Sequence, residues 1–443
     1  MTRAEARPTE FAERGPLKGS LALTGDKSIS HRALMLSALA VGRSSISNLS
    51  EGSDIHSTAA ALRAMGARIE QGPDGAWEVD GVGVGGLLQP RQAFDMGNSG
   101  TSARLLMGLV STHAITATFT GDPSLSRRPM DRVIAPLRRT GARIAAAPGG
   151  RLPLSVSGVC PAFPLTHRVE VASAQVKAAL LLAALNTPGV TEVIAPVPTR
   201  DHSERMLKLF GADIEVDGSD AGGRRIRLRG EAELSPQGME IPGDTSSAAF
   251  LAVAALIVPD SDVTLTGIGA NPMRTGLFEL LAEMGGDIAF SNRRELGGEP
   301  VADLRIRHSA LRAIDVPPEL VPAMIDEFPI FFIAAAFAHG RSRAHGLSEL
   351  RVKESDRVTA MAAGLRAIRG RVEESEDGLV IDGSGGDPLP GGGLIASQMD
   401  HRVAMSFAVA GLACAEPVTV DDMLPVATSF PGFTTTLKAL SAA

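Results

Sequence analysis

The sequence predicts an α/β protein of two halves, each holding three repeated units wrapped around buried helices, and three observations carry that prediction. A small-polar start followed by an Ala/Leu-rich run occurs six times, at 28–41, 101–110, 173–185, 246–258, 326–338 and 400–413, with starts roughly 72 to 80 residues apart. Amphipathic stretches ending in Gly plus a short strand recur alongside, as in Met65-Gly-Ala-Arg-Ile, Thr140-Gly-Ala-Arg-Ile, Phe210-Gly-Ala-Asp-Ile, Met284-Gly-Gly-Asp-Ile and Arg369-Gly-Arg-Val, with a sixth fading into Leu437-Lys-Ala-Leu. Strand-like stretches such as Arg225-Ile-Arg-Leu and Val263-Thr-Leu-Thr sit between the helical runs, which makes the alternation one of strands and helices.

The Ala/Leu-rich helices are apolar nearly all round, as in Arg32-Ala-Leu-Met-Leu-Ser-Ala-Leu-Ala, the pattern of a helix enclosed on every side. The second helices, such as Ser203-Glu-Arg-Met-Leu-Lys-Leu-Phe, carry charge on one face and belong outside. Six units are too many for one small core, and the chain divides near Glu240-Ile-Pro-Gly-Asp244. The expected organisation is a leader and first strand at 1–25 that pack with the C-terminal half, a three-repeat domain at 26–240, and a three-repeat domain at 241–443. Two chain crossings between the halves would make a hinge. The start, 1–16, mixes Arg and Glu with two prolines and lacks an apolar h-region, so it reads as a disordered leader without a secretory signal.

With 443 residues, 44% hydrophobic and 21% charged, the composition is that of a globular protein with ample core. A net charge of -7 argues against a nucleic-acid or anionic-membrane surface as partner, so any anion site must be a concentrated one. Two cysteines, Cys160 and Cys414, cannot build a disulfide framework or a thiolate metal site and read as packing residues. The apolar runs fall short of the roughly 18 to 20 residues a membrane span needs. The cytoplasm is the expected location.

The buried helices begin with the most unusual polar residues of the chain. A helix N-terminus presents unpaired N–H groups and partial positive charge, and so attracts anions. The first opens Gly25-Asp-Lys27-Ser28-Ile-Ser30-His-Arg32, with Lys27 and Arg32 costly beside an apolar helix unless paired; the plainer alternative is capping by Ser28 or Ser30 with solvated cations. The second opens Gly97-Asn-Ser-Gly100-Thr-Ser, whose small residues admit close approach of a ligand or simply make a tight capping turn. Arg127-Arg128-Pro-Met offers a bidentate fork for phosphate or carboxylate, or a solvated turn. The third helix opens Ser173-Ala174-Gln175, and Asp326 stands at the opening of the fifth, as an acid gaining from the dipole or as a proton-transfer group near cations. In Arg351-Val-Lys353-Glu354-Ser-Asp-Arg357, Lys353 and Arg357 lie one helical turn apart; an exposed salt-bridged face competes with a ligand site. Asp400-His-Arg402 places a cation at a dipole-positive end, which is electrostatically backwards without an anion. The cations come from both halves and imply a cleft for strongly anionic small molecules.

These motifs, read in order, resemble the EPSP synthase (3-phosphoshikimate 1-carboxyvinyltransferase) family, over about residue 16 to the end. The resemblance implies two domains of three βαβαββ units closing over the substrates. It further implies transfer of the enolpyruvyl group of phosphoenolpyruvate to the 5-hydroxyl of shikimate 3-phosphate, through a tetrahedral ketal phosphate, with release of phosphate. This is a step of chorismate and aromatic amino-acid biosynthesis that requires no metal or organic cofactor. By the same resemblance, shikimate 3-phosphate meets Lys27, Ser28, Arg32, Ser173, Ala174, Gln175, Arg200, Asp326 and Lys353, and phosphoenolpyruvate meets Lys27, Gly100, Arg128, Gln175, Arg357 and Arg402. Asp326 is the expected proton acceptor for the hydroxyl, with Glu354 and Lys27 as the other proton-transfer candidates, and a monomer is expected.

Two departures stand out. Many members carry a Lys before Thr-Phe-Pro where this chain has Thr428-Ser-Phe-Pro, and many carry Ser-Ser-Gln where it has Ser173-Ala174-Gln175. With Thr199-Arg200-Asp201-His202, these features resemble a branch known for tolerance of glyphosate, although that branch typically has Ala where Gly100 stands. Two other readings compete: an enolpyruvyl transferase for a nucleotide sugar, disfavoured by Ser28 and by the lack of a cysteine at 115–125, and a non-catalytic repeat scaffold, which would not need both Asp326 and Glu354.

Overall fold

The computed structural model describes residues 8–13, 15–73, 75–219 and 223–441. The chain forms two compact units, one comprising Gly25–Pro242 with Glu295–Glu299, the other the chain up to Thr24, Gly243–Arg294 and Pro300–Ala443. Each has its own continuous hydrophobic core.

In the unit Gly25–Pro242, the buried helices are Lys27–Leu39, Gly100–Ser111 and Ala174–Leu185. Ala and Leu dominate them because both favour helix and neither brings a polar group into the core. The amphipathic companions are Ser53–Ala64, Asp131–Arg138 and His202–Leu209. Three four-stranded sheets share one topology: a parallel edge pair followed by two antiparallel neighbours. Phe94–Asp95, for example, precedes helix Gly100–Ser111 and pairs in parallel with Thr116–Thr120, which follows it, as a crossover unit requires. Gly108 lets the second and third buried helices meet, since a Cβ there would run into the backbone carbonyl of Ala179.

The other unit repeats the plan with buried helices Thr245–Ile257, Phe328–Phe337 and His401–Gly411 and companions Gly276–Glu283, Arg357–Ala367 and Phe433–Ser441. Phe328, Phe331 and Phe332 are at most 1% exposed, and their tilted and edge-on rings fill the centre; each such side chain contributes about 2 to 3 kcal/mol by leaving water. Its middle sheet is reduced to three strands, Arg341–Ala344, Leu379–Asp382 and Arg371–Glu374, and the parallel edge shrinks to two isolated bridges, Arg312 with His339 and Asp315 with Arg343.

Two strands are exchanged along the sequence. Lys18–Ala22, which precedes helix Lys27–Leu39, pairs in parallel with Asp262–Gly269, whereas Gly238–Glu240, which precedes helix Thr245–Ile257, pairs in parallel with Val41–Ser47. The stretch expected to be a disordered leader also contains a strand: Thr9–Phe11 pairs antiparallel with Val418–Val420, which in turn lies parallel to Leu394–Ile395. Phe11 sits in the core, and that burial gives the segment its order. Residues 1–7 and 14 of that leader lie outside the described residues. Cys414 is buried as expected of a packing residue, but Cys160 is exposed, because the Cys160-Pro161 turn lies beyond the core. Among the described residues, no single helix is long and apolar enough to cross a membrane.

Gly108→Ala should lower the stability of the folded chain by about 1 to 3 kcal/mol, because the two helices must separate to admit the methyl group. Urea unfolding followed by circular dichroism measures this, and an unchanged midpoint would show that the helices have slack.

Candidate functional site

The sequence-predicted residues fall into two groups, one within each unit. In the unit Gly25–Pro242, helix Lys27–Leu39 is capped by Asp26, whose Oδ1 accepts from the Ile29 N–H at 3.0 Å. Neither Ser28 nor Ser30 is the cap. Ser30 Oγ accepts from the Ser50 N–H at 3.0 Å, and the Ser28 carbonyl accepts from Arg32 Nη1 at 2.7 Å. The cations are also not solvated as the plainer reading had it. Lys27 Nζ lies 3.1 Å from Asp54 Oδ2, and Arg32, only 4% exposed, donates through Nε to Ser203 Oγ at 2.7 Å. Burial, and after it the facing Arg200 cation, lower the Arg32 guanidinium to about 10, against the opposing pull of Glu204. Two cations held close are a place where an anion relieves strain.

The second helix, Gly100–Ser111, is capped by Ser99, whose Oγ accepts from the Ser102 N–H at 3.1 Å. A chain of side-chain contacts runs from this cap to the first helix: Ser99 to Ser102 at 2.6 Å, Ser102 to Thr58 at 2.7 Å, and Thr58 to His31 Nδ1 at 2.7 Å. Burial, followed by Lys27 and Arg32, holds His31 well below the usual imidazole range, so it is neutral at neutral pH. Arg104, which sequence reasoning missed, donates to the Gly100 carbonyl at 3.3 Å and to Gln175 Oε1 at 3.1 Å, while Gln175 donates to Thr101 Oγ1 at 3.0 Å. A Cβ at Gly100 would lie 2.7 Å from Arg104 Nη1 and 3.2 Å from Arg128 Nη1. Arg128 is buried and donates to Asn98 and Ser124, whereas Arg127 is exposed at the end of the short helix Pro123–Arg127. Ser173 caps helix Ala174–Leu185 through the Val176 N–H, and Ala174 offers only backbone there.

In the other unit, a denser network joins acids to cations. Lys353 Nζ lies 3.2 Å and Arg357 Nη1 3.5 Å from Asp326 Oδ1. Arg357 donates through Nε to Asp400 Oδ2 at 2.8 Å and pairs with Glu354. Its side chain is 1% exposed, so the reading as a salt-bridged surface face does not hold. Burial works against the Arg357 charge, but Asp400, then Glu354, outweigh it and raise the guanidinium above its ordinary value. Burial likewise opposes the Asp400 charge, and Arg357 overcomes it, leaving that carboxyl below its ordinary value.

Lys353 and Arg357 are not one helical turn apart. A 3-10 turn ends at Val352, and helix Arg357–Ala367 starts anew at its cap Asp356. Asp326 similarly precedes its helix, which begins at Phe328 with Pro329 in its first turn. Asp400 caps helix His401–Gly411 through the Arg402 N–H at 2.9 Å. The Arg402 side chain turns to the Asp326 carbonyl at 2.8 Å and to Glu327 Oε1 at 3.4 Å, which resolves its awkward place at a dipole-positive end. Ser246 binds Glu327, Arg274 and Arg402. Arg274 escaped the sequence reading, since a buried charge in a loop carries no periodic signal. At the missing lysine, Thr428 donates to the Pro425 carbonyl at 2.7 Å and closes its own turn. Among the described residues, no group of three or more His, Cys, Asp or Glu side chains is arranged to hold a metal.

Two units of three helix-centred repeats, with cations gathered at helix starts, define an enolpyruvyl transferase fold. The enolpyruvyl transferase NikO from Streptomyces tendae has this fold, with a TM-score of 0.76 over 98% of both chains at 19% identity. The family model described as EPSP synthase (3-phosphoshikimate 1-carboxyvinyltransferase) matches residues 11–437, and the chain belongs to that family. It is 64% identical to the 3-phosphoshikimate 1-carboxyvinyltransferase of Sphingopyxis alaskensis, over 99% of this chain and all of the relative. EPSP synthase from Acinetobacter baumannii superposes with a TM-score of 0.86 at 43% identity, covering 98% of both chains.

Asp400→Ala would leave the buried Arg357 with less counter-charge and one helix without its cap, at a cost of roughly 3 kcal/mol or more; a thermal midpoint within a degree of the parent would refute that account. Because His31 refuses a proton when folded, the unfolded chain binds more protons as pH falls below about 6.5, and stability falls with it. His31→Asn should flatten this slope between about pH 5 and 6.5 in denaturant titrations, with the likewise lowered His113 keeping part of it.

Proposed function

We propose that this chain is a 3-phosphoshikimate 1-carboxyvinyltransferase. It transfers the enolpyruvyl group of phosphoenolpyruvate to the 5-hydroxyl of shikimate 3-phosphate and releases phosphate, in the biosynthesis of chorismate and aromatic amino acids. Membership of the family supports the reaction, and one local observation carries the assignment of roles: Asp326 is a carboxylate gripped by Lys353 and Arg357, with Arg402 on its own backbone oxygen.

In this reading the hydroxyl oxygen of shikimate 3-phosphate bonds to C2 of phosphoenolpyruvate, and C3 takes up a proton to give the ketal phosphate. Elimination then removes a proton from C3 and expels phosphate. Asp326 accepts the hydroxyl proton, while Glu354 and Lys27 serve the methylene. Shikimate 3-phosphate is held by Lys27, Ser28, Arg32, Ser173, Ala174, Gln175, Arg200, Asp326 and Lys353. Phosphoenolpyruvate is held by Lys27, Gly100, Arg128, Gln175, Arg357 and Arg402. Fixed cations stabilise the charge that develops on the departing phosphate without reorganising. The halves at 26–240 and 241–443, with 1–25 joining the latter, act as the two domains of a cytoplasmic monomer, a reading that rests on the family resemblance.

The deciding experiment is phosphate release from phosphoenolpyruvate, which should require shikimate 3-phosphate; release that ignores it would defeat the proposal. Asp326→Ala should abolish turnover while shikimate 3-phosphate binding stays measurable by calorimetry, and retained turnover would remove Asp326 from its role. Glyphosate should inhibit at the phosphoenolpyruvate site. Gly100→Ala should weaken glyphosate more than phosphoenolpyruvate, because its methyl group, set beside the Arg104 and Arg128 guanidinium ends, would protrude where the bulkier inhibitor fits; equal losses for both ligands would sink this steric account.

A further inference from the structure

Lys177 is a charge inside an otherwise Ala/Leu helix, Ala174–Leu185, and is 1% exposed. An ammonium persists in such a place only when its donors are satisfied and its charge is matched. Its ammonium donates to the Arg200 carbonyl at 2.9 Å and the Thr199 carbonyl at 3.2 Å, and Glu204 Oε1 stands 2.6 Å away as its counter-charge. Glu204, itself 5% exposed, stands in the first turn of helix His202–Leu209. From the same turn, Ser203 accepts from Arg32. Two residues before Ser203, Asp201 binds Arg205 and Arg224, each at 3.0 Å. The short run 199–204 is therefore gripped residue by residue, and Arg200 is carried on it.

The grip matters because Arg200 and Arg32 are like charges: burial first, and then repulsion from Arg200, lowers the Arg32 guanidinium. Lys177 holds the carbonyl of Arg200 itself. Glu204 cancels the Lys177 charge, so the restraint adds no third net cation to the pair.

We propose that Lys177 and Glu204 are a positioning pair that sets where Arg200 stands beside Arg32, and so tunes recognition of the anionic groups of shikimate 3-phosphate. This rests on the reading above that Arg32 and Arg200 contact that substrate. The pair touches no reacting atom, and its removal acts on substrate affinity.

The test is steady-state kinetics on the full chain with each substrate varied in turn, alongside thermal unfolding. Lys177→Met/Glu204→Leu removes both buried charges at similar volume, which avoids leaving one of them unpaired. It should stay folded and raise KM for shikimate 3-phosphate about tenfold, with KM for phosphoenolpyruvate and kcat within about twofold. Arg200→Ala is the control. If it raises KM for shikimate 3-phosphate while the folded double variant does not, the positioning pair is refuted and the substrate contact stands. If Arg200→Ala leaves that KM unchanged, the contact itself fails and the proposal falls with it. A double variant that raises both KM values in parallel also overturns the proposal, since a purely structural role predicts that result.

Discussion

A helix closed in by apolar neighbours on every side has only its ends for polar work. Six such helices organise this chain, and the rest of the structure follows from what is placed at their N-termini. Asp26, Ser99, Ser173, Asp244 and Asp400 each spend a side-chain oxygen on a backbone N–H of the first turn. Asp400 does two jobs at once, since it accepts from the Arg402 N–H and also neutralises the buried Arg357. Cap and counter-ion are one residue, so the cation cannot move without disturbing the start of a helix. This stiffness suits electrostatic groups that must be in place before charge develops.

The two groups of polar residues differ in chemistry although the repeats share a plan. In the unit Gly25–Pro242, hydroxyls link the helix starts, through Ser99, Ser102 and Thr58 to a neutral His31. In the other unit, carboxylates alternate with guanidinium groups, through Glu354, Arg357, Asp400 and Asp326. Hydroxyls orient and carboxylates exchange protons, so the proposed proton transfers draw mainly on the second group, with Lys27 the exception.

The repeat was legible in the letters because burial on all sides selects small and apolar residues, mostly Ala and Leu, round the whole helix, which no surface helix tolerates over three turns. The cations at helix starts were legible for the converse reason, as charges where a core pattern forbids them. Other features were hidden because they depend on contacts between distant segments. Arg274 finds Ser246 and Glu327 only through the fold, and Arg104 looks like the polar edge of a helix until Gln175 meets it. Counting helical turns failed across Ser355-Asp356, where a capping Asp ends one phase and begins another. The helix opening read at Asp326 was also misplaced, since the helix starts two residues on at Phe328, with Pro329 in its first turn. Thr9–Phe11 was lost among prolines and charges, since a three-residue strand is defined by its partner and not by its own pattern.

That short strand has a consequence for synthesis. The unit Gly25–Pro242 is continuous apart from the hairpin tip Glu295–Glu299, so nearly all of it can close while the ribosome is still working. Its neighbour in the sequence is made from both chain ends, with Thr9–Phe11 waiting for Val418–Val420. At roughly 5 to 20 residues per second, that wait lasts about 20 to 80 seconds. During it the first segment has no sheet to join, and a nascent chain arrested before Val418 holds one finished unit and one that lacks the middle strand of its last sheet. The order of manufacture is therefore written into the pairing of a single strand, with Thr9–Phe11 translated before the unit Gly25–Pro242 and finding its place after it.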